Sequence, residues 1–410
     1  MGPLDVAIVG AGTAGAAAAI LLKRAGHNVT VLERVAKPGP VGAGITLQPT
    51  GQAALARLGL FEQVAARGAR IDRLTCVRKT GKPMVDLAYA EIDPALYGIG
   101  IHRGALFQIL LAEARATGAT IHCGVAVAST ELDARGRWLV DDRGERHGPY
   151  NLVIAADGGV CELHAAAPRV KIMPYPWGAL WVVAPDVPGF TPEKRIYQVI
   201  DRCHTMLGFL PTGLGPHGET PVVSMFWSIR ADRVDAWRAA GLAKWRDTIL
   251  RMEPRAEAIL DTLDDLEPVL FSRYRDVRMW PWHAERIVFI GDSAHATSPQ
   301  LGQGANLALI DAVILADAIA NARSVEAALA AYTAARHRHL NFYQFATRAL
   351  TPLFQSDSSL LAFVRDLVFP QNRWIRPFRR RMIRTMIGAD RGLVRKPFPI
   401  AELRALPLGR

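Results

Sequence analysis

RIVFIGDSAHATSPQLGQGANLALIDA, Arg286–Ala312, is the stretch whose reading decides how this chain folds. The apolar run Ile287 to Ile290 predicts a buried strand that stops at Gly291-Asp292. A turn rich in Ser, Pro, Gly and Gln follows, and Ala305 to Ala320 then predicts a long apolar helix. A carboxylate at a strand end, here Asp292, is placed to accept hydrogen bonds from a sugar-like hydroxyl. The helix start after Gly302-Gln303-Gly304 leaves backbone N–H groups without partners, and its dipole favours negative charge there.

The chain start supplies an independent half of the reading. Asp5 to Val9 predicts a short apolar strand, followed by Gly10-Ala11-Gly12-Thr13-Ala14-Gly15 and an Ala/Leu helix to about Arg24. Val29 to Leu32 predicts a second strand, and it ends in Glu33. Gly10 permits the tight turn, Gly12 lets backbone approach a pyrophosphate, and Gly15 allows close helix–strand packing. Glu33 stands where an acid takes ribose hydroxyls. The pattern predicts a bound dinucleotide but does not by itself choose NAD over FAD. Leu152 to Ala156 predicts a third buried strand, which runs into Asp157-Gly158-Gly159.

In this order the segments resemble the para-hydroxybenzoate hydroxylase family, the single-component aromatic hydroxylases or class A flavoprotein monooxygenases, over roughly residues 5 to 340. The resemblance implies FAD as cofactor. It places Gly10, Gly12, Ala14, Gly15, Glu33 and Arg34 at the ADP end, with Val127 beside the adenine and Asp157 near the pyrophosphate. Asp292 then holds the ribityl chain, and Arg103, after His102, reaches the ribityl or phosphate region. Gly44 and Ile45 lie in a loop that covers the flavin, and Pro299, Gly302, Gln303, Gly304, Ala305 and Asn306 border the isoalloxazine. His295 supports the flavin loop. The implied reaction uses NADH or NADPH to reduce FAD, forms a C4a-hydroperoxyflavin with O₂, and hydroxylates an aromatic ring. The chain departs from the family at Val160-Cys161 and His164, where arginines usually stand, and this puts the usual nicotinamide docking in question. A flavin-dependent halogenase, an oxidase, or a membrane-associated quinone or lipid oxidoreductase would carry the same flavin motifs.

Composition agrees with a soluble enzyme: 410 residues, 50% apolar and 21% charged, are enough for two joined domains around a substantial core. The start runs directly into a strand without a signal-like region, and the expected location is cytoplasmic. Cys76, Cys123, Cys161 and Cys203 lack metal-ligand spacing, so reduced thiols and no metal are expected. Of the net charge of +11, nine units fall within residues 371–410, which leaves the body nearly neutral and speaks against nucleic acid as a partner. Within that tail, Trp374, Ile375, Phe378, Met382, Ile383, Met386 and Ile387 recur at helical spacing among arginines. The expectation is a basic amphipathic helix packed on the body, with peripheral membrane contact through 371–410 as the other reading. The assembly is expected to be a monomer or homodimer.

Between the flavin segments the period changes to two, predicting strands at 177–184, 194–200, 204–210 and 221–230. Trp177, Ala179, Trp181 and Val183 share one face, and so do Val223, Met225, Trp227 and Ile229. Tyr197, Met206, Met225 and Trp227 are the substrate candidates. His204 is the candidate base, and it joins Pro299 as a catalytic candidate. No arginine on these faces awaits a carboxylate, which favours a largely apolar aromatic small molecule. The fold class is therefore α/β: a Rossmann-type FAD domain (1–170 and 276–340), an inserted mostly antiparallel substrate sheet (171–275), and a C-terminal basic helical region (341–410). His337 and His339 read as surface residues. Glu131, Asp133, Asp141 and Asp142 read as solvated in a hairpin.

Overall fold

The computed structural model describes residues 1–392, 397 and 400–401; the rest of the basic tail read above lies outside the described residues. Asp5–Val9 is the central strand of a six-stranded sheet. It pairs in parallel with Asn28–Glu33 on one side and Leu152–Ala155 on the other. Thr120–Cys123 and Ile287–Phe289 extend the sheet in parallel, and His283–Ala284 closes one edge antiparallel. Strands covered on both faces read as unbroken apolar runs, and Val6, Ala7, Ile8, Val153, Ile154 and Val288 are fully buried. The alanines of helix Thr13–Arg24 let it pack closely on helix Gly304–Asn321.

The sheet expected to meet substrate has seven strands in the order Leu270–Met279, Val170–Pro185, Pro221–Arg230, Thr205–Leu214, Arg195–Asp201, Arg73–Arg78, Pro83–Ala88. Its last two strands come from the first segment, because Arg195–Asp201 continues the hydrogen-bond ladder in parallel onto Arg73–Arg78. The sheet therefore reaches beyond the expected 171–275. One face packs Leu180, Val182, Leu207, Phe209, Met225 and Trp227 against Trp245 and Ile249 of helix Val234–Leu250. The opposite face looks toward the flavin motifs.

The expected boundary at 340 falls inside one continuous helix, Val325–Phe354. His339 on this helix is fully buried. Its ring bonds Arg336 (2.7 Å) and the Gly388 carbonyl (2.7 Å), which corrects the surface reading. Asp141 is also buried, against the solvated reading, and its carboxylate is satisfied by the N–H groups of Arg143 and Glu145 and by His147. Helix Arg376–Ile387 packs Ile383, Met386 and Ile387 inward as expected, whereas Trp374 and Ile375 stay exposed.

Candidate active site

A cleft of about 1180 Å³ runs along the carboxyl ends of the parallel strands and under the substrate sheet. Its glycines do not all serve the same purpose. Gly10 has φ +97°, and a Cβ there would lie 2.7 Å from the Ala156 carbonyl oxygen; a Cβ on Gly15 would lie 2.0 Å from the Gly10 oxygen. Packing alone therefore requires glycine at both. Gly12, at φ −65°, has nothing within 4 Å of such a Cβ and lines the cleft. The protein's own packing does not need glycine at 12, but a ligand pressed against that backbone does.

The rest of this wall has the same polarity. Glu33 accepts from the N–H groups of Ala11 (2.8 Å) and Val35 (2.9 Å), and its remaining lone pairs could take ligand hydroxyls in the cleft beside Arg34 and Val127. Asp157 lines the cleft with one buried carboxylate oxygen lacking a partner, and burial pushes its carboxyl pKa up against a hydrogen bond from the Cys161 thiol. Asp292 stands exposed in the cleft. Gly302 turns the chain in the left-handed region (φ 61°) into helix Gly304–Asn321, whose first residues Gly304 and Ala305 also line it. A buried carboxylate with one free oxygen, a glycine cradle and a row of helix-start N–H groups suit a dinucleotide with one flat polar ring. FAD fits these residues.

Residues 3–343 match the family model described as FAD binding domain. The chain belongs to this family. It is an FAD-dependent monooxygenase of the aromatic hydroxylase type. Among curated proteins it is similar to the putative FAD-dependent monooxygenase YetM of Bacillus subtilis (strain 168), with 28% identity covering 79% of this chain and 87% of that protein. Kynurenine 3-monooxygenase of Stenotrophomonas maltophilia (strain K279a) shares 28% identity, covering 81% and 75%. Two solved structures share the fold. The tetrameric form of 2-methyl-3-hydroxypyridine-5-carboxylic acid oxygenase has TM-score 0.73 at 22% identity, covering 90% of this chain and 98% of that one. Pseudomonas aeruginosa PqsL has TM-score 0.75 at 22% identity, covering 88% and 99%.

Several residues of the monooxygenase stand elsewhere than the sequence suggests. Asn306 is fully buried, and its amide clamps the chain at Thr46–Gln48 by accepting from Gln48 N–H (2.8 Å) and donating to the Thr46 carbonyl (3.1 Å). Gln303 turns its amide to the Met386 carbonyl (2.8 Å). Neither side chain lines the cleft; both hold the turn from behind. His295 does reach it, and its ring meets Asp311 at 2.6 Å. Burial alone would raise the pKa of Asp311, but the charges of His295 and Arg336 outweigh it and hold the carboxyl at about 2. Asp311 also accepts from the Gly291 N–H (2.8 Å) and so fixes the turn that presents Asp292.

Of the substrate candidates, only Met206 lines the cleft. Met225, Trp227 and Tyr197 point to the helix-covered face, where they pack in or against the second core. His204 lies in a turn outside the cleft and bonds Thr205, so it is no base for this site. The cleft face is made instead by Ala179, Trp181, Ile196, Gln198, Phe226 and Tyr274. Trp181 and Phe226 lie 5.1 Å apart in a tilted pair, and Trp181 donates a hydrogen bond to the Tyr274 hydroxyl. A Cβ on Gly208 would strike Phe226 at 2.0 Å, so glycine there lets the ring lie across the strand. Arg273, not singled out in the sequence, lines the cleft and is exposed, with no carboxylate partner among the described residues.

Proposed function

We propose that this monooxygenase hydroxylates a largely apolar aromatic or heteroaromatic small molecule, with NADH or NADPH as reductant and O₂ as the oxygen source. The observation that carries this reading is the two-sided cleft, with the flavin motifs on one wall and the aromatic group Trp181, Phe226 and Tyr274 on the other. FAD, when bound, supplies the oxygen activation; the protein binds, orients and excludes water. Gly10, Gly12, Ala14, Glu33, Arg34 and Val127 hold the ADP end, and Asp157, Asp292 and Arg103 hold the middle. Gly44, Ile45, Pro299, Gly302, Gly304 and Ala305 border the ring. The N–H groups at the helix start stabilise negative charge at the ring's polar edge.

Trp181, Phe226 and Met206 take the substrate ring, and Arg273 meets one acidic substituent on it. Relatives that act on kynurenine or on a hydroxypyridine carboxylic acid by name, and PqsL in complex with 2-aminobenzoylacetate, support that class. The sheet side of the cleft has no His or carboxylate among its described lining residues, so the pH profile should follow the substrate's own ionisation. A cytoplasmic location and a monomeric or homodimeric state belong to the same reading.

The test is anaerobic absorbance of the yellow protein as NADH or NADPH is added with phenols, indoles, quinolones and aminobenzoyl acids. Ligand-accelerated bleaching, then hydroxylated product on admitting air, is expected. A yellow protein that no nicotinamide reduces would overturn the self-sufficient hydroxylase.

A further inference from the structure

Helix Ser359–Val368 is amphipathic with its apolar stripe turned outward. Leu360, Phe363, Val364, Leu367 and Val368 follow the i, i+3, i+4, i+7, i+8 pattern, and all are exposed, Leu360 at 68% and Phe363 at 66%. The inward side is held by Ala362 and by the buried Arg365, which donates to the carbonyls of Arg202 (2.6 Å) and Leu353 (3.0 Å) and pairs with Asp366. The helix is thus anchored by its polar side and presents its apolar side to solvent, the reverse of the usual arrangement. Just beyond it Trp374 (75% exposed) and Ile375 (50%) extend the ridge.

The charge around the ridge is uneven in a telling way. The inward-turned arginines of the next helix are paired, Arg379 with Glu91 and Arg381 with Asp390. Arg373, Arg376 and Arg380 are exposed and have no carboxylate partner among the described residues. Exposed Leu, Phe and Trp beside unpaired arginines match an interface that is apolar at depth and negative at its surface. A second copy of this chain fits poorly, since a two-fold contact through the ridge would bring the same three arginines against their mates.

We propose that the ridge formed by helix Ser359–Val368 and Trp374-Ile375 docks the enzyme on an anionic lipid bilayer, with Arg373, Arg376 and Arg380 on the headgroups. The peripheral contact expected from the sequence falls within 371–410, which includes Trp374 and Ile375; most of the apolar surface comes earlier, on helix Ser359–Val368. Gln355, four residues before the helix, lines the cleft, so the ridge and the cleft lie within about 14 Å of chain of one another. Docking depends on neither the substrate nor the reaction.

The test is sedimentation of the FAD-loaded full chain with sucrose-filled vesicles of phosphatidylglycerol and phosphatidylcholine, or of phosphatidylcholine alone, beside its mass by analytical ultracentrifugation. Wild type should partition onto the anionic vesicles and lose binding as salt rises. Each arginine near such a surface strengthens binding roughly five-fold, so R373A/R376A/R380A should weaken it about 100-fold and erase the lipid preference. Phe363→Glu with Leu367→Glu should abolish binding while the flavin spectrum stays unchanged; both sites are exposed, and the spectrum reports folding. Failure of wild type to sediment with anionic vesicles, or full binding by the double glutamate variant, would overturn the proposal. So would a wild-type dimer that the glutamates convert to monomer, because a second copy would then be the occupant.

Discussion

Phe226→Ala and Met225→Ala alter neighbouring residues of one strand that face opposite sides of the sheet, and their effects should separate cleanly. The Phe226 ring lies across Gly208 in the cleft wall beside Trp181, whereas Met225 is 1% exposed opposite Phe209 and Val182 in the helix-covered core. A ligand ring covering one face of Phe226 removes about 40 Å² of apolar surface from water, roughly 1 kcal/mol. The aromatic pair itself adds about 0.5–1.5 kcal/mol. Phe226→Ala should therefore weaken ligand binding by about 10- to 70-fold, since roughly 1.4 kcal/mol is a factor of ten. Met225→Ala removes buried methylene and sulfur contacts and should destabilise the fold by about 2–5 kcal/mol while leaving ligand affinity within about two-fold.

Affinity would be read from the perturbation of flavin absorbance by the most effective ring compound of the panel, and stability from urea denaturation. The refuting pattern is the inverse one: an unchanged dissociation constant for Phe226→Ala with a ten-fold loss for Met225→Ala. That would mean the sheet presents its other face to the substrate.

Three further outcomes follow from the geometry. Gly12→Ala should leave the melting temperature of the FAD-free protein unchanged yet weaken FAD retention, whereas Gly15→Ala, with its Cβ 2.0 Å from a backbone oxygen, should destabilise even the FAD-free fold; equal melting losses in both would contradict the distinction. Asp311 ionises more readily folded than unfolded, so its stabilisation is complete above the ordinary carboxylate pKa of about 4 and is lost as pH falls toward 2. Asp311→Asn should flatten acid denaturation between those pH values and cost about 3–5 kcal/mol at neutral pH by leaving Arg336 buried without its partner; an unchanged urea midpoint would refute this. Cys76, Cys161 and Cys203 are buried and burial pushes each thiol up, so a thiol reagent should label the half-buried Cys123 alone until the protein unfolds. Rapid labelling of Cys161 in the native state would contradict that.

What was legible in the sequence was what short-range pattern specifies. The strands ending at Val9, Ala155 and Phe289 and the turns after them are local signals, and the structure joins them in one sheet edge along the cleft. The side of the substrate sheet that meets the ligand was not legible in the same way. On strand Pro221–Arg230 the face Val223, Met225, Trp227 and Ile229 is wholly apolar, and it is the face that helices cover. The other face carries Ser224 and Ser228 beside Phe226, and those hydroxyls were the available sign of the open side. Ser224 even accepts from the Gly44 N–H (2.8 Å), tying this face to a loop that lines the cleft. Buried polar residues escaped for a different reason. His339 is satisfied by Gly388, and Asn306 by Thr46 and Gln48, and partners so far apart along the chain leave no mark in local spacing.

Those distant partners form one network with a mechanical consequence. Asp311 holds Gly291, His295 and Arg336; Arg336 meets His339, which bonds Gly388; Gln303 bonds Met386; and the Tyr343 hydroxyl donates to the Thr385 carbonyl. Every link is buried, so removing one partner leaves a buried polar group short of a hydrogen bond even where others remain. The basic helix Arg376–Ile387 is thereby latched to the turns that lead into Asp292 and into helix Gly304–Asn321. Arg365 latches the preceding helix to the Arg202 and Leu353 backbone near the substrate sheet. The outward ridge lies between these two latches, each of which ties it to a wall of the cleft. A surface that grips Phe363, Leu367 and Trp374 therefore also sets the direction in which the cleft faces.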